Sequence, residues 1–574
     1  MPMKRILPLV AATALVVVAA LWLAFGPKTP KPYMVAAANP YAAQAGADIL
    51  AEGGSAVDAA IAVQAVLTLV EPESSGLAGG AFMLHWSPRG KKLDAYDGRE
   101  TAPAGATPDM FLDDGGKPLG IIPAILSGRS IGAPGVVALL ALAHEEHGKL
   151  PWAELFEPAI KLSEEGFKVS QKLHDSIARD PALAKMPGSQ DYFFTKEADG
   201  KRIPVAAGAL LKNPGLAETL KIIAAQGRDG FYKGPVAQSI VDAVHAAPMR
   251  PGTLSMADLA GYQAKHRTAV CRAYREYKVC AMPPPTSGGI ATLQILGILE
   301  SFDMGQIEPM SVTAVHFIAE AEKLAYADRG KFLGDPDFVK IPVDALLDAT
   351  YLRKRASLID PSLSMKHANP GKLDDKEADA QGSNVSVAYP STSHFAIVDA
   401  SGDVVSMTTS VEAPFGSHLM AGGMILNNQL TDFSFLPEED GKPVANAVAP
   451  GKRPMSAMDP VIVFTKAGDF YAAMGSPGGS RIIGYVAESL IAVLDWKMTM
   501  QQAFDLPRFL DRNGPLEIEE GTSLEKLAPD LKQLGHEVLP EEMHSGLHGI
   551  MVTPNGLDGG ADPRREGKVI AGVR

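Results

Sequence analysis

Residues 389–399, YPSTSHFAIVD, decide how the rest of the chain is read. A polar run, AQGSNVSVAYPSTS, ends at His394, where an apolar strand begins that turns back on itself through HFAIVDASGDVVSMTTSV. A hydroxyl with no imidazole beside it is a poor nucleophile. A residue whose own α-amine is freed by cutting the preceding peptide bond carries its base with it, because an α-amine titrates near ~7.7 to 8.0. That device needs a pliant segment immediately before a strand fixed in the core, and the sequence around Thr392 has this form. A turn rich in Ser and Thr has it as well, so the residues taken alone leave both readings open.

The pattern changes around this point. Upstream, MVAAANP reads as a strand and YAAQAGADILAEGG as a helix closed by glycines; SAVDAAIAVQAVLTLV follows as a second helix, opened by the capping pair Ser55 and Asp58. Residues 105 to 370 carry amphipathic helical stretches such as GVVALLALAHEEHG and VTAVHFIAEAEKLAYADR. From 385 onward, paired strands are expected: the hairpin after His394, then GGMILNNQ, then PVIVFTKAGDFYAAMGS, with a helix over RIIGYVAESLIAVLDW. No repeat or heptad register is present.

At the N-terminus, Lys4 and Arg5 precede an apolar run from Ile6 to Phe25. At ~1.5 Å per helical residue this run is long enough for a ~30 Å hydrocarbon core, and the positive residues place its start on the cytoplasmic side. It is read as an uncleaved signal anchor facing the periplasm or extracellular side, the alternative being a signal peptide that is removed to leave a periplasmic protein. GPKTPKP then forms a stiff linker, and the folded body starts near Tyr33.

The balance of 53 basic and 66 acidic residues, net −13, argues against a nucleic-acid partner. The two cysteines, Cys271 and Cys280, fall opposite one another on a hairpin in AVCRAYREYKVCAM, which leaves a disulfide and two half-buried thiols both open. The run HEEH, residues 144–147, is read as a solvated charged helix end rather than a zinc pair. There is no G-x-S-x-G, H-E-x-x-H or G-x-x-x-x-G-K-[ST] motif. In AAMGSPGGSRIIGY a strand runs through glycines straight into a helix, so the amides around Gly478 and Gly479 are placed either for a developing oxyanion or simply for a tight turn.

Eight ordered motifs then identify a resemblance: GGSAVDAAIAV, GLAGGAFML, DGRETAPAGATPDMFL, MPPPTSGG, TSHFAIVD, FGSHLMAGGMILNNQLTDFS, KRPMSAMDP and GSPGGSR. Together they resemble the γ-glutamyltranspeptidase family of N-terminal-nucleophile hydrolases, from about Met34 to the C-terminus. The resemblance implies an α+β fold, a four-layer αββα sandwich formed by two autoprocessed chains: a large segment, 33–391, and a small segment, 392–574, with 1–32 as anchor or signal peptide and linker.

By the same resemblance, Thr392 is the nucleophile, Gly478 and Gly479 form the oxyanion hole, and Ser410 hydrogen-bonds the nucleophile. Arg99 and Ser456 hold the substrate α-carboxylate, while Gln429 and Asp432 hold the α-ammonium. Asn428 is a structural amide. The implied activity is cleavage of γ-glutamyl amides such as glutathione through a γ-glutamyl ester, with water or an amino acid as acceptor and no metal or organic cofactor.

Three positions depart from the family pattern. TTSVEAPFG has Ser410 and Glu412 where a Thr and an Asn are usual, and Glu412 either strengthens an ammonium contact or repels a dicarboxylate. Ala457 replaces a second serine, removing a carboxylate donor worth roughly 1.5 to 3 kcal/mol. The connection FLPEEDGKPVANAVAPG is short and has no Tyr to close over the site. These departures keep an alternative in view, an acylase of the cephalosporin or glutaryl type. A non-enzymatic alternative is an unprocessed envelope binding protein. Hydrolysis and transfer to an acceptor are not distinguished by sequence.

Overall fold

The computed structural model describes residues 30–198, 200–373, 382 and 391–574. Two antiparallel sheets organise them. Across the larger sheet the strands run Lys568–Val573, Pro32–Ala37, Ser393–Val398, Val404–Ser410, Gly80–Ser87, Lys92–Gly98 and Lys265–Arg267. The smaller sheet runs Gly556–Ala561, His548–Thr553, Phe470–Gly475, Val461–Thr465, Tyr277–Ala281 and Val270–Tyr274.

Period-two alternation decides what each face of the larger sheet meets. Val35, Ala37, Met83, Phe395, Ile397 and Met407 join the core under the helices Pro40–Glu52 and Ala56–Val70. Their neighbours Met34, Ala36, Phe82, Leu84, Ala396 and Val398 point the other way and share a second core with the smaller sheet. Trp86 and Phe464 meet edge to face across that interface, 4.7 Å between ring centroids. Helices Gly288–Leu299 and Ile482–Leu494 cover the far side of the smaller sheet. The layers are therefore helix, sheet, sheet, helix. Strands buried on both faces also explain why HFAIV and VIVF are near-continuous apolar runs.

The helix Ala56–Val70 is closed at its start by the expected box: Asp58 N–H donates to Ser55 Oγ, and Ser55 N–H to Asp58. All of its residues are buried, so it presents no solvated face. GGMILNNQ forms only the two-residue strand Met424–Ile425, paired with Met420–Ala421; the rest is drawn into the loop that lines the site. Cys271 and Cys280 are register partners and form a disulfide. In HEEH the glutamates face solvent, but His144 and His147 turn inward. His144 Nε2 meets the Leu150 carbonyl at 2.9 Å.

The predicted membrane-spanning run 6–25 lies outside the described residues, as does most of the polar segment before Ser391. Among the described residues, no helix is long and apolar enough to cross a membrane.

Candidate active site

Ser393–Val398 is a central strand, held between Pro32–Ala37 and Val404–Ser410. Its register pairs Ser393 with Thr409, which carries Thr392 to Ser410 at the mouth of the hairpin. The two hydroxyls meet there, Thr392 Oγ1 lying 2.9 Å from Ser410 Oγ. Ser410 Oγ also accepts the Glu412 N–H at 2.9 Å, which fixes its position from the other side.

The backbone around Thr392 is held in an unusual state. Thr392 has φ +102°, a conformation a β-branched residue rarely adopts. The Ser391 carbonyl accepts the Gly478 N–H at 3.2 Å. The Ser391 hydroxyl donates to the Glu73 carbonyl at 2.6 Å, and Arg565 donates to the Thr392 carbonyl at 3.1 Å. Ser393 is tied in turn to Glu71, at 2.8 Å. Both sides of the 391–392 peptide are thereby clamped.

Gly478 is a glycine for two reasons. Its φ is +138°, and a Cβ there would come within 2.7 Å of the Tyr485 ring. The glycine loop therefore lies flat against the helix Ile482–Leu494 and leaves its amide aimed at Ser391. His394, on the same face of the strand as Thr392, is spent elsewhere: its Nδ1 is 2.9 Å from Thr408 Oγ1. Burial, and after it the proximity of His548, pushes the His394 imidazole well below its ordinary pKa. A neutral, packed ring is not a base for Thr392.

A small pocket opens on Thr392 and Ser410. Glu412, Gln429, Asp432, Ser456 and Gly479 line it, together with Ala457. Glu412 has φ +84° and accepts the Asn428 amide at 2.5 Å; Asn428 in turn accepts the Ala413 N–H at 2.9 Å, the structural role expected of it. Gln429 Oε1 is buried with no hydrogen-bond partner among the described residues.

Arg99 does not line this pocket. It is fully buried behind it, with Nη2 on Asp432 Oδ2 at 2.5 Å and on the Met455 carbonyl at 3.0 Å, and Nε on the Pro454 carbonyl at 3.0 Å. Its Nη1 has no hydrogen-bond partner among the described residues. Burial raises the Asp432 pKa even though Arg99 pulls it down. Beside Arg99, burial pushes the Glu100 carboxyl up to about 8.

The cation that does line the pocket is Arg329, near the C-terminal end of the long helix Val312–Phe332, its Nε on Ser287 Oγ at 2.8 Å. Sequence reasoning placed this residue on a helix and gave it no role. The available signal was a charged side chain in the last turns of a helix whose other faces are buried.

Comparison with known proteins agrees with this architecture. The sequence model described as Gamma-glutamyltranspeptidase matches residues 42–572. The glutathione hydrolase proenzyme of Escherichia coli strain K12 is 40% identical over 568 residues, covering 96% of this chain and 93% of the relative. The acylase ACY 1 proenzyme of Pseudomonas sp. strain SE83 is 34% identical, covering 94% of this chain and 93% of the relative. Among solved structures, cephalosporin acylase from Bacillus halodurans superposes with a TM-score of 0.80 at 28% identity, over 95% of this chain and 97% of that one. The gamma-glutamyltranspeptidase of Helicobacter pylori gives a TM-score of 0.56 at 34% identity, over 59% of this chain and 96% of that one.

Proposed function

The chain belongs to the gamma-glutamyltranspeptidase family, and from that membership we propose that it cuts its own Ser391–Thr392 bond and then uses the exposed Thr392 to cleave γ-glutamyl amides such as glutathione. The observation that carries this reading is the +102° φ of Thr392. That angle is defined through the Ser391 carbonyl carbon, so cutting the 391–392 bond removes the constraint altogether. Strain of this kind costs on the order of 1 to 3 kcal/mol, and self-cleavage is the one reaction that releases all of it.

In the intact chain, Thr392 Oγ1 attacks the Ser391 carbonyl, whose oxygen already accepts the Gly478 N–H. The amide nitrogen leaves as the Thr392 α-amine, and water hydrolyses the resulting ester. The products are a large segment ending at Ser391, whose folded part is 33–391, and a small segment, 392–574. Loss of the Ser391 carbonyl from the site then frees the Gly478 N–H. In turnover the α-amine takes the Oγ1 proton and returns it to the leaving amine, while the amides of Gly478 and Gly479 hold the oxyanion. Water or an amino acid resolves the γ-glutamyl ester.

Substrate roles follow from the same pocket. Gln429 Oε1, Asp432 and Glu412 supply acceptors for an α-ammonium. Ser456 supplies a donor for the α-carboxylate, and Arg99 Nη2, which now sits behind Asp432, becomes a second donor once Asp432 turns toward the ammonium; Arg99 Nη1 faces Glu100 at 3.7 Å. Export is part of the proposal: a disulfide such as Cys271–Cys280 persists in an oxidising compartment, and 1–32 would be the anchor or signal peptide.

A second reading, acylase action on glutaryl-type donors, is favoured by Ala457, which leaves the carboxylate side of the pocket one hydroxyl short. Turnover of a γ-glutamyl anilide against a glutaryl anilide separates the two. We expect at least a tenfold preference for the glutamyl compound; equal turnover of the glutaryl compound, which lacks the α-ammonium, would reject the γ-glutamyl assignment.

A further inference from the structure

The outer face of the larger sheet carries a cluster that Thr392 chemistry does not use. His85 and Asp94 are register partners on the strands Gly80–Ser87 and Lys92–Gly98. The last turn of the helix Val136–His147 lays His147 over them, its ring stacked on His85 at 3.9 Å between centroids.

Asp94 Oδ2 is 3.4 Å from His147 Nε2 and 3.9 Å from His85 Nδ1. Neither His85 Nδ1 nor Asp94 Oδ2 has a hydrogen-bond partner among the described residues, although His85 is 1% exposed and Asp94 7%. Buried polar atoms are nearly always paired, so two of them facing each other just beyond hydrogen-bond reach mark a place for a third party. Donor atoms held at about 2.0 to 2.2 Å by a tetrahedral zinc stand roughly 3.3 to 3.6 Å apart. Asp94 and His147 already stand at that spacing; His85 Nδ1 must close in from 3.9 Å, and one of the two stacked rings must turn so that both nitrogens aim at the same point.

The surroundings suit a cation. The C-terminal carbonyls of the helix Val136–His147 direct its negative end here, and Glu146 Oε2 lies 3.7 Å from His147 Nε2. The nearest positive charge, Lys92, sits on the other oxygen of Asp94, Oδ1, at 2.9 Å and is largely solvated. His147, with 18% of its side chain exposed, leaves an entry path.

We propose that His85 Nδ1, Asp94 Oδ2 and His147 Nε2 bind a zinc ion, with water completing the coordination. Two imidazoles and one carboxylate form a borderline donor set of the kind zinc takes. Binding requires His147 Nε2 to leave the Tyr96 hydroxyl, now 2.8 Å away, while Tyr96 keeps its bond to Glu146 Oε2 at 3.0 Å. The ion would clasp the helix to two strands, one of which, Gly80–Ser87, pairs with the strand that ends at Ser410. It is a bracing site, remote from the reacting atoms.

The test is calorimetric titration of the full chain, stripped with a chelator, with zinc chloride alone, and metal counting by elemental mass spectrometry. A single zinc per chain and a raised melting temperature are expected. His147→Gln and Asp94→Asn should each weaken binding at least tenfold, whereas His144→Gln, in the same helical turn but bonded to Leu150, should bind like the parent. His147 is only partly buried, so His147→Gln decides the matter if Asp94→Asn does not fold, with circular dichroism as the check. Absence of stoichiometric zinc in the parent, or unchanged affinity in His147→Gln, would overturn the site.

Discussion

Among the described residues, Ser410 holds the one hydroxyl hydrogen-bonded to Thr392 Oγ1, at 2.9 Å. Removing it in Ser410→Ala strands Thr392 Oγ1 in a buried place, a loss of roughly 1 to 3 kcal/mol. Self-cleavage and turnover should each slow by about 10- to 100-fold, measured as the rate at which the two segments appear on a gel and as anilide hydrolysis. Ser410→Thr, which keeps the hydroxyl, should restore both. Ala457 also lines the pocket, and on the proposed reading a serine there would donate to the substrate carboxylate. Ala457→Ser should lower KM for a γ-glutamyl anilide by up to about tenfold and leave a substrate without the α-carboxylate unaffected; an equal change for both substrates would place residue 457 outside the carboxylate subsite.

The hairpin Val270–Tyr274 and Tyr277–Ala281 ends the smaller sheet, and its disulfide closes a loop with a sequence separation of 9. Replacing both cysteines by serine should cost about 2 to 3 kcal/mol in urea unfolding through the unfolded chain's regained entropy, with specific activity unchanged. Elements of this kind were legible in the sequence because period-two alternation and a short turn put Cys271 opposite Cys280. The hairpin after His394 and the Ser55 cap were legible for the same local reasons. GGMILNNQ was not: its apolar residues read as a strand, but the Asn427 and Asn428 side-chain amides and the Gln429 backbone N–H brace the pocket loop instead of a ladder. Nor was Arg99 legible as a residue behind the pocket, or Arg329 as one lining it. Which guanidinium reaches the cavity depends on how distant segments, 452–458 and 329, close around residue 432, and no local pattern encodes that packing. The inward turn of His147 was hidden likewise, since its partners lie on strands about fifty residues away.

The sandwich buries histidines that must stay neutral. Burial pushes His548 down to about 4 and His394 well below its ordinary range. The unfolded chain binds protons at these rings below about pH 6.5, so stability present above that pH is lost as the pH falls toward 4. Glu100 and Glu488, raised to about 8 by burial, act with the opposite sign, weakening the fold as pH rises from about 4.5 to 8. The difference between parent and variant isolates one group: His548→Gln should lose less stability than the parent between pH 7 and 5, by on the order of 2 kcal/mol, in paired urea titrations. Equal losses would mean that His548 titrates normally. On the proposed reading, a strained Thr392, a clamped Ser391 and a Gly478 amide already on the Ser391 carbonyl prepare the chain to divide. Intact-mass and N-terminal sequencing of the purified chain tests this most directly. The expected result is a C-terminal fragment that begins at Thr392 and is absent in Thr392→Ala. A single uncut chain after long incubation at neutral pH would contradict it, because no free amine would then exist at Thr392 to serve as the base.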